Sequence, residues 1–597
     1  MNLPSANISS RTLWLFLISS VVFAVFLHLK VFTLPNCLAF DSTDDANHTF
    51  VNLQQAQRII KEGQWPLMNP FNNFGTPLLG DQLTLPFSVQ SLSYWLMDFP
   101  VAATFNRIVI SFLTIFVLTL FFHQAFPRFY AIFFAWMAVL TKGFMWHFAH
   151  HHYQMALLLF VFGLWAQQCY LKTGSGKHYW LYYLSFIVIL GSVNINVGII
   201  IIAMLFLHQC LSLFFCEKEK RRRVFFAFII LLASGIIFYA PEWIYFFKVL
   251  MPNIHRAREV YTGGHLNLAS NESILLVFLA FLGSWQLYKD KEYFKAARIF
   301  VLGVLTTLFI VLLLKWHALW FSLPLLKSTD ITRFFWISNI FLVEGFGYFL
   351  LSLGRPGGIK QSVSYGCVLL MGLMILYGKI NFAWHRVLGY DDFQSCRADK
   401  THYFSSRNSD RFWPPSTSQS LEPLSRIAVD APSWKGYGIK LNRDDQFSSQ
   451  GRSVVLNRHL TEYLLKQDLI QIDQSPAAYS FKQPWAFEKL SRLGIKYVVQ
   501  TGTFSIPEQE RGAVARGKDR FVVYQNPVPT GIVYLDRSPK KIIPASHIQI
   551  KGNDFYINLP EIDSQQELVI TLMDQYGWKA FVDERPEKIF HQDDYMM

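Results

Sequence analysis

Charge is what this chain has least of. Only 16% of its 597 residues are Asp, Glu, Lys or Arg, where a soluble globular protein carries roughly a quarter. The deficit is concentrated between residues 12 and 383, and it excludes an ordinary water-soluble domain there. Cysteine is scarce too: Cys37, Cys169, Cys210, Cys216, Cys367 and Cys396 are scattered, most in apolar runs, with no CxxC pair. A disulfide framework is thereby excluded. No Walker A stretch is present, which argues against an ATP-driven pump. There is no GxSxG element or kinase signature, and no pair of inverted repeats with broken helices of the kind that marks secondary transporters. The first apolar run lacks a small-residue cleavage site after it, so it reads as a retained span rather than a signal peptide.

Apolar runs near 20 residues, by contrast, recur throughout the first two-thirds. That length crosses a hydrocarbon core roughly 30 Å thick. Eleven spans are expected, at 12–34, 101–122, 127–146, 153–171, 178–193, 195–215, 224–247, 272–288, 297–315, 334–353 and 361–382, the fifth and sixth being readable as one broken segment. With the N-terminus inside, Arg11, Arg128, Lys172, Lys177, Lys218, Lys220, Arg221, Arg222, Arg223, Lys289, Lys291, Lys295, Arg298, Arg355 and Lys360 all fall on one side, against only Glu217, Glu219, Asp290 and Glu292. The positive-inside rule makes that side cytoplasmic. It also accounts for most of the formal net charge of +13, so the basic balance is no nucleic-acid footprint. The polar groups left on the outer side are a long first loop (35–100), the cluster His147 to His152, and the segments 248–271 and 316–333. The resulting expectation is a mainly α polytopic membrane protein, in which residues 1–384 form the transmembrane domain. Residues 385–597, of ordinary charge and with short alternating runs, form a soluble extracytoplasmic domain.

The outer constellation carries the candidate chemistry. Asp44 and Asp45 sit just before a stretch of helical character (46–62), with Val51, Ala56, Ile59 and Ile60 near one face. An Asp there can cap the helix, and the other is a candidate general base toward an acceptor hydroxyl. His147 and His151, four apart, could share a helix face as metal ligands do, but interfacial His and Trp at headgroup level is the simpler reading. His151 and His152 stay as candidate phosphate or sugar contacts. Ionisable residues inside spans point to function by default: Arg107, Lys142, Glu242 and Glu344. Arg107 can hold a lipid phosphate or snorkel to the interface. Arg256 and Arg333 lie in short outer basic clusters, and Arg suits bidentate phosphate recognition.

The order of these elements resembles the YfhO family of bacterial membrane proteins, placed with the GT-C superfamily of glycosyltransferases, over nearly the whole chain. The family's G-x-x-P-L-W-N-P stretch is similar to Gly63-Gln64-Trp65-Pro66-Leu67-Met68-Asn69-Pro70, followed by Gly75-Thr76-Pro77-Leu78-Leu79. Counted back from Pro66, the family's loop aspartate falls on Asp44, with Asp45 close behind. The family's His before the fourth span matches His152, and its late R-x-x-x-R-F stretch resembles Thr329 to Phe334, where Arg333 is kept and the first Arg is not. Leu493-Gly494-Ile495-Lys496-Tyr497-Val498 resembles the family's L-G-V-R-Y-V strand, and Tyr576-Gly577-Trp578-Lys579-Ala580-Phe581-Val582-Asp583 its late hairpin, without the Pro.

The resemblance implies a GT-C-like transferase in a bacterial cytoplasmic membrane. It would move a sugar from a polyprenyl-phosphate donor to an envelope glycopolymer or glycolipid on the outer face, with the first-loop aspartate as base. A polyprenyl-phosphate sugar synthase and a small flippase are the implied partners. Phosphate as leaving group needs charge stabilisation, which Arg supplies without an obligatory metal or other cofactor. In the C-terminal domain, Arg426–Val429, Tyr497–Val499, Phe521–Tyr524, Gly531–Tyr534, His547–Ile550, Phe555–Asn558 and Glu567–Thr571 read as strands, the last hundred residues as a β-sandwich. Trp578 is either a core residue or a sugar-stacking ring. The competing reading is a non-catalytic scaffold or a polyprenyl-lipid transporter with a sensing domain; a catalytically decayed relative is a third.

Overall fold

A computed structural model describes residues 8–28, 50–71, 76–78, 88–97, 99–141, 151–192, 195–215, 218–238, 254–255, 271–316, 335–353, 366, 421–422, 424–429, 447–448, 456–472, 479–482, 484–501, 513–516, 521–536, 541–559, 566–572 and 578–590. The N-terminal part is a helical bundle: α1 (Ser10–Leu27), α2 (Phe50–Lys61), the short α3 (Leu92–Leu96), α4 (Phe99–His123), α5 (Arg128–Leu140), α6 (His151–Thr173), α7 (Gly176–Ser192), α8 (Ile195–Phe215), α9 (Lys218–Phe238) and α10 (Asn271–Lys289). One continuous rod follows, α11 (Tyr293–Arg298), a π-helical stretch (Ile299–Leu305) and α12 (Thr306–Lys315), and then α13 (Phe335–Leu353). Helices are what apolar segments must form in lipid, because only they satisfy every backbone polar group within one segment. Five are long and apolar enough to cross a membrane: Ser10–Leu27, Thr104–His123, Tyr153–Thr173, Tyr293–Leu313 and Phe335–Leu353. Three shorter apolar helices, Arg128–Leu140, Ile200–Phe215 and Ile274–Lys289, accompany them. Each of the first ten expected spans overlaps a helix. The eleventh, 361–382, lies outside the described residues apart from Gly366, so the count of eleven is not reached.

The ends of these helices sort as the charge pattern does. Lys172, closing α6, donates to the Gln124 carbonyl just beyond α4 at 3.0 Å. Lys295 of α11 lies over the ring of Tyr348 in α13. At this basic end the packing is close. A Cβ on Gly283 of α10 would stand 2.0 Å from the carbonyl oxygen of Gly345 in α13, and one on Gly347 would stand 2.6 Å from the Phe126 ring. Small residues of this kind let helix backbones touch. Arg298, expected in a basic loop, is instead buried at the end of α11 and paired with Glu344 of α13. The expectation failed because a helix-terminal Arg reads alike whether it faces water or a partner. The π-helical turn begins directly after Arg298, and Thr306 donates to the Val301 carbonyl at 2.9 Å across it.

The C-terminal part is strand-rich, in two units. The first is a mixed five-stranded sheet of β4 (Arg426–Val429), β5 (Phe447–Ser448), β9 (Ile495–Thr501), β10 (Ala513–Arg516) and β11 (Phe521–Gln525), in the order β10-β11-β9-β4-β5. β4 runs parallel to both its neighbours. Helices α14 (Arg458–Lys466) and α15 (Phe487–Arg492), with a hairpin of β7 (Ile470–Ile472) and β8 (Tyr479–Phe481), complete its core around Leu460, Leu464, Phe481, Leu490 and Val498. Parallel strands flanked by helices are not sandwich architecture, so the sandwich expectation fails for β9 and β11. It fits better in the second unit. There β12 (Val533–Asp536) pairs β13 (Lys541–Ile542) and β16 (Glu567–Ile570). A hairpin of β14 (Ile548–Lys551) and β15 (Asp554–Ile557) shares the core of Val533, Leu535, Ile543, Ile548 and Leu572. Trp578 packs on that core against Phe555, ring centroids 6.0 Å apart.

Arg426 ties the units together. Fully buried, it donates to the Leu493 carbonyl at 2.6 Å and to Thr571 Oγ1 at 2.7 Å. The glycine in Leu493-Gly494-Ile495 has a physical reason in the same place. Its φ is +69°, and a Cβ there would stand 2.5 Å from Thr571 Oγ1. Only glycine meets both demands without strain.

Candidate functional site

The first loop is built onto the top of α4. Helix α2 buries Leu53, Ala56 and Ile59, Ala56 and Ile59 packing with Leu78. It also buries Asn52, Gln55 and Gln57, a polar face that hydrophobic periodicity does not register. Gln57 Nε2 donates to the carbonyls of Tyr94 at 2.5 Å and Met97 at 2.6 Å, between α3 and α4. Asn106 of α4 donates to the Gln90 carbonyl at 2.9 Å, in the turn before α3. Helix α2 is therefore fastened to α3, and the turn before α3 to Asn106, the neighbour of Arg107 on α4. Beside it, Ser111 Oγ donates to the Arg107 carbonyl at 2.6 Å and stands 2.7 Å from Nε2 of buried His28. Ser111 has one hydroxyl hydrogen and has given it to the backbone, so His28 Nε2 is the donor to Ser111. Arg107 is half-buried within electrostatic range of that imidazole.

Helix α2 ends on Gly63, at φ +79°. Gly63 N donates to the Ile60 carbonyl at 2.9 Å and Gln64 N to the Ile59 carbonyl at 3.1 Å, the double bond that closes a helix on a left-handed residue. The turn sends Gln64 to Trp65 toward the C-terminal domain. The motif Met68-Asn69 … Thr76-Pro77 then folds as a small antiparallel ladder of β1 (Met68–Asn69) and β2 (Thr76–Pro77), Met68 opposite Pro77. Asn69 anchors it by donating to Asn52 Oδ1 at 2.9 Å. Phe71, just after, is buried in the core of the second β unit with Ile532, Val533 and Leu572.

At the tip of the β14–β15 hairpin, Asn553 binds this loop by five hydrogen bonds. Its Oδ1 accepts from Leu67 N at 3.1 Å and Met68 N at 3.3 Å. Its Nδ2 donates to the Trp65 carbonyl at 2.6 Å and to Gln64 Oε1 at 3.3 Å, and its backbone N donates to the same Oε1 at 2.8 Å. Gln64 Nε2 completes the contact by donating to Asp554 Oδ2 at 2.7 Å. Gly552, at φ +61°, leaves room for Gln64: a Cβ there would overlap its amide. A second outer segment meets the C-terminal domain as well. β3 (Ile254–His255) pairs with β6 (Leu456–Asn457), His255 opposite Leu456, immediately before Arg256.

Of the site residues expected from sequence, Arg107 is placed as described. His151 and His152 open α6, followed by the buried Tyr153 and Gln154; their side chains lie outside the described residues. So do Asp44, Asp45, Arg256 and Arg333, together with Lys142, His147 and Glu242. Glu344, expected only as an ionisable residue inside a span, is the buried partner of Arg298. Among the described residues no three His, Cys, Asp or Glu side chains gather in a way that could hold a metal ion. Sequence reasoning missed Gln64 and Asn553; the signal available was the pair of glycines, Gly63 and Gly552, each preceding an amide side chain.

No protein-family model matches the sequence, and no curated protein sequence matches it either. Solved structures do. The arabinofuranosyltransferase AftD from Mycobacteria aligns with 89% of this chain and 41% of its own length, at TM-score 0.53 and 12% identity. An oligosaccharyltransferase from Archaeoglobus fulgidus aligns with 82% of this chain and 69% of its own, at TM-score 0.49 and 11% identity. ArnT from Cupriavidus metallidurans, solved bound to undecaprenyl phosphate, aligns with 87% and 98%, at TM-score 0.48 and 13% identity. The likeness is one of fold, carried by AftD at TM-score 0.53: apolar helices followed by a strand-rich part, this chain spanning less than half the length of AftD.

Proposed function

We propose that the protein is a GT-C-type glycosyltransferase. It would move a sugar from a polyprenyl-phosphate donor to an envelope glycopolymer or glycolipid on the outer face of a bacterial cytoplasmic membrane. In this reading residues 1–384 are the membrane domain, with the N-terminus cytoplasmic, and 385–597 are extracytoplasmic. The observation that carries it is the fastening of the first loop. Helix α2, which begins at Phe50, is bonded to α3, the turn before α3 is bonded to Asn106 beside Arg107 on α4, and the loop that follows α2 is held by Asn553 of the C-terminal domain. Asp44, with Asp45 beside it, would take the proton of the acceptor hydroxyl as its oxygen attacks the anomeric carbon. The bond to the donor phosphate then breaks, and polyprenyl phosphate leaves with the electron pair. Arg107, Arg256, Arg333 and the histidines His151 and His152 would balance that charge, with no metal or other cofactor required. The YfhO-like motifs point the same way, and with them to a sugar synthase and a flippase as partners.

The test compares envelope glycans by mass spectrometry in cells making wild-type protein, the Asp44→Asn variant or none, at matched membrane abundance. Loss of one sugar from both the null and the variant, with its lipid-linked donor accumulating, is the expected outcome. An unchanged null overturns the transferase in favour of the scaffold or lipid-transporter reading. A sugar lost only in the null keeps the function and removes Asp44 from it.

A further inference from the structure

We propose that Asn553 is a positioning residue for transfer, and that the C-terminal domain acts on the reaction by holding the first loop through it. The inference rests on the transferase reading above and adds a role for the soluble domain. Three observations carry it. Asn553 spends its whole side chain on the loop, using both amide hydrogens and accepting twice. The partners it selects are mostly backbone groups, Trp65 O, Leu67 N and Met68 N, so it fixes the path of the loop whatever the side chains there are. The contact is also matched by shape on both sides, because Gly63 turns the loop toward Asn553 and Gly552 clears the space that Gln64 enters.

The same domain engages the outer segment before Arg256 through the β3–β6 pairing. The C-terminal part thus touches both the loop that follows α2 and the segment before a candidate phosphate ligand. Holding two reacting parts at a fixed separation is worth large factors in rate, and a misplacement of about 1 Å costs about a hundredfold. Asn553 is far in sequence from both. Its effect belongs to kcat, because the partners Asn553 bonds, in residues 64–68, include none of the candidate phosphate ligands.

The experiment uses the full-length protein in membranes, with lipid extracts of the null cells, where the donor accumulates, as the titrated substrate. Initial transfer rates are measured for wild type, Asn553→Ala, Gln64→Ala and the double variant. Thermal unfolding and hydrogen exchange of the purified proteins are followed in parallel. Expected are a rate reduced about 10- to 100-fold in Asn553→Ala, a half-saturating donor concentration within about twofold of wild type, and faster exchange confined to residues 64–71. The double variant falls further than either single but by less than the product of the two losses, because the two side chains hold the same stretch of loop. A wild-type rate with a loosened loop overturns the proposal. So does a loss that only tracks the fraction of folded protein, with Gln64→Ala, which leaves the β14–β15 turn intact, fully active. A wild-type protein without transfer activity removes the transferase reading itself, an outcome separable from either of these.

Discussion

The two ends of the helical bundle are held by different physics. At the basic end, α10, α11 and α13 meet with backbone against backbone at Gly283 and Gly345, and Phe126 fills the space over Gly347. Phe121, Phe122 and Phe134 continue that packing, and an ion pair, Arg298 with Glu344, is sealed inside it. At the opposite end the fastenings are amide side chains, one by one on backbone groups: Gln57 on Tyr94 and Met97, Asn106 on Gln90, Asn553 on Trp65, Leu67 and Met68. Close packing has one arrangement and resists displacement. Hydrogen bonds have a small net worth each and can be exchanged one at a time, although leaving a buried partner unmet costs more. Close packing thus lies where no chemistry is proposed, and separable bonds lie where the proposed transferase would admit its donor and acceptor.

The strongest way to break that comparison is at the ion pair. Glu344→Ala leaves the Arg298 guanidinium buried and uncompensated, and the expected cost is about 3–5 kcal/mol. It would be read as a large drop in thermal unfolding temperature in detergent and a fall in membrane abundance. Replacing both, Arg298→Met with Glu344→Leu, recovers most of the loss, because two apolar side chains of similar volume have no charge to desolvate. A double variant as unstable as Glu344→Ala would mean that the pair specifies the packing around the π-helical turn rather than merely surviving in it.

A substitution at the other end sharpens the contrast. Gln57→Ala removes the donor shared by the Tyr94 and Met97 carbonyls. The loss expected is about 1–3 kcal/mol, the cost of leaving buried acceptors unmet. Transfer should fall further than stability does, because α2 carries the loop that bears Asp44. Equal proportional losses would place α2 with the rigid scaffold instead.

What sequence could say divides along the same line. Apolar runs mark where a helix must be, and each of the first ten expected spans meets one. The short apolar runs in Arg426–Val429 and Phe521–Tyr524 give strands through β-branched and aromatic residues that pack on both faces, Ile427 and Ala428 being buried side by side, as are Val523 and Tyr524. Gly531–Tyr534 fell two residues short of β12, whose register is fixed by β16 more than thirty residues on. Partnership is the part that periodicity cannot carry. Arg298 finds Glu344 46 positions away, β4 lies parallel to β9, and the two-residue ladders β1–β2 and β3–β6 exist only because distant segments arrive together. The candidate site shares that limit. Asp44 and Asp45 could be chosen from their place before α2, whereas Asn553 could not, since its meaning comes from a loop 486 residues earlier.

The smallest expected effect is in an exposed polar contact of the C-terminal domain. Asp468 closes α14 with φ +57°, a left-handed position usually given to glycine, while Leu469 N donates back to the Leu464 carbonyl at 2.9 Å. The reason for an aspartate is Lys482, whose ammonium bonds the carboxylate and holds its pKa below the ordinary value. A depressed folded-state pKa adds stability above the unfolded value, near 3.9, and that stability is lost as pH falls through the lowered value. Asp468→Asn keeps the left-handed turn and removes the titration. Unfolding of the strand-rich domain, followed by temperature scans from about pH 5 to about pH 3, should therefore decline slightly less steeply in the variant than in wild type. The carboxylate is 80% exposed, so the difference is small. Parallel curves would show that Lys482 contributes nothing in water, and that the turn is held by the backbone alone.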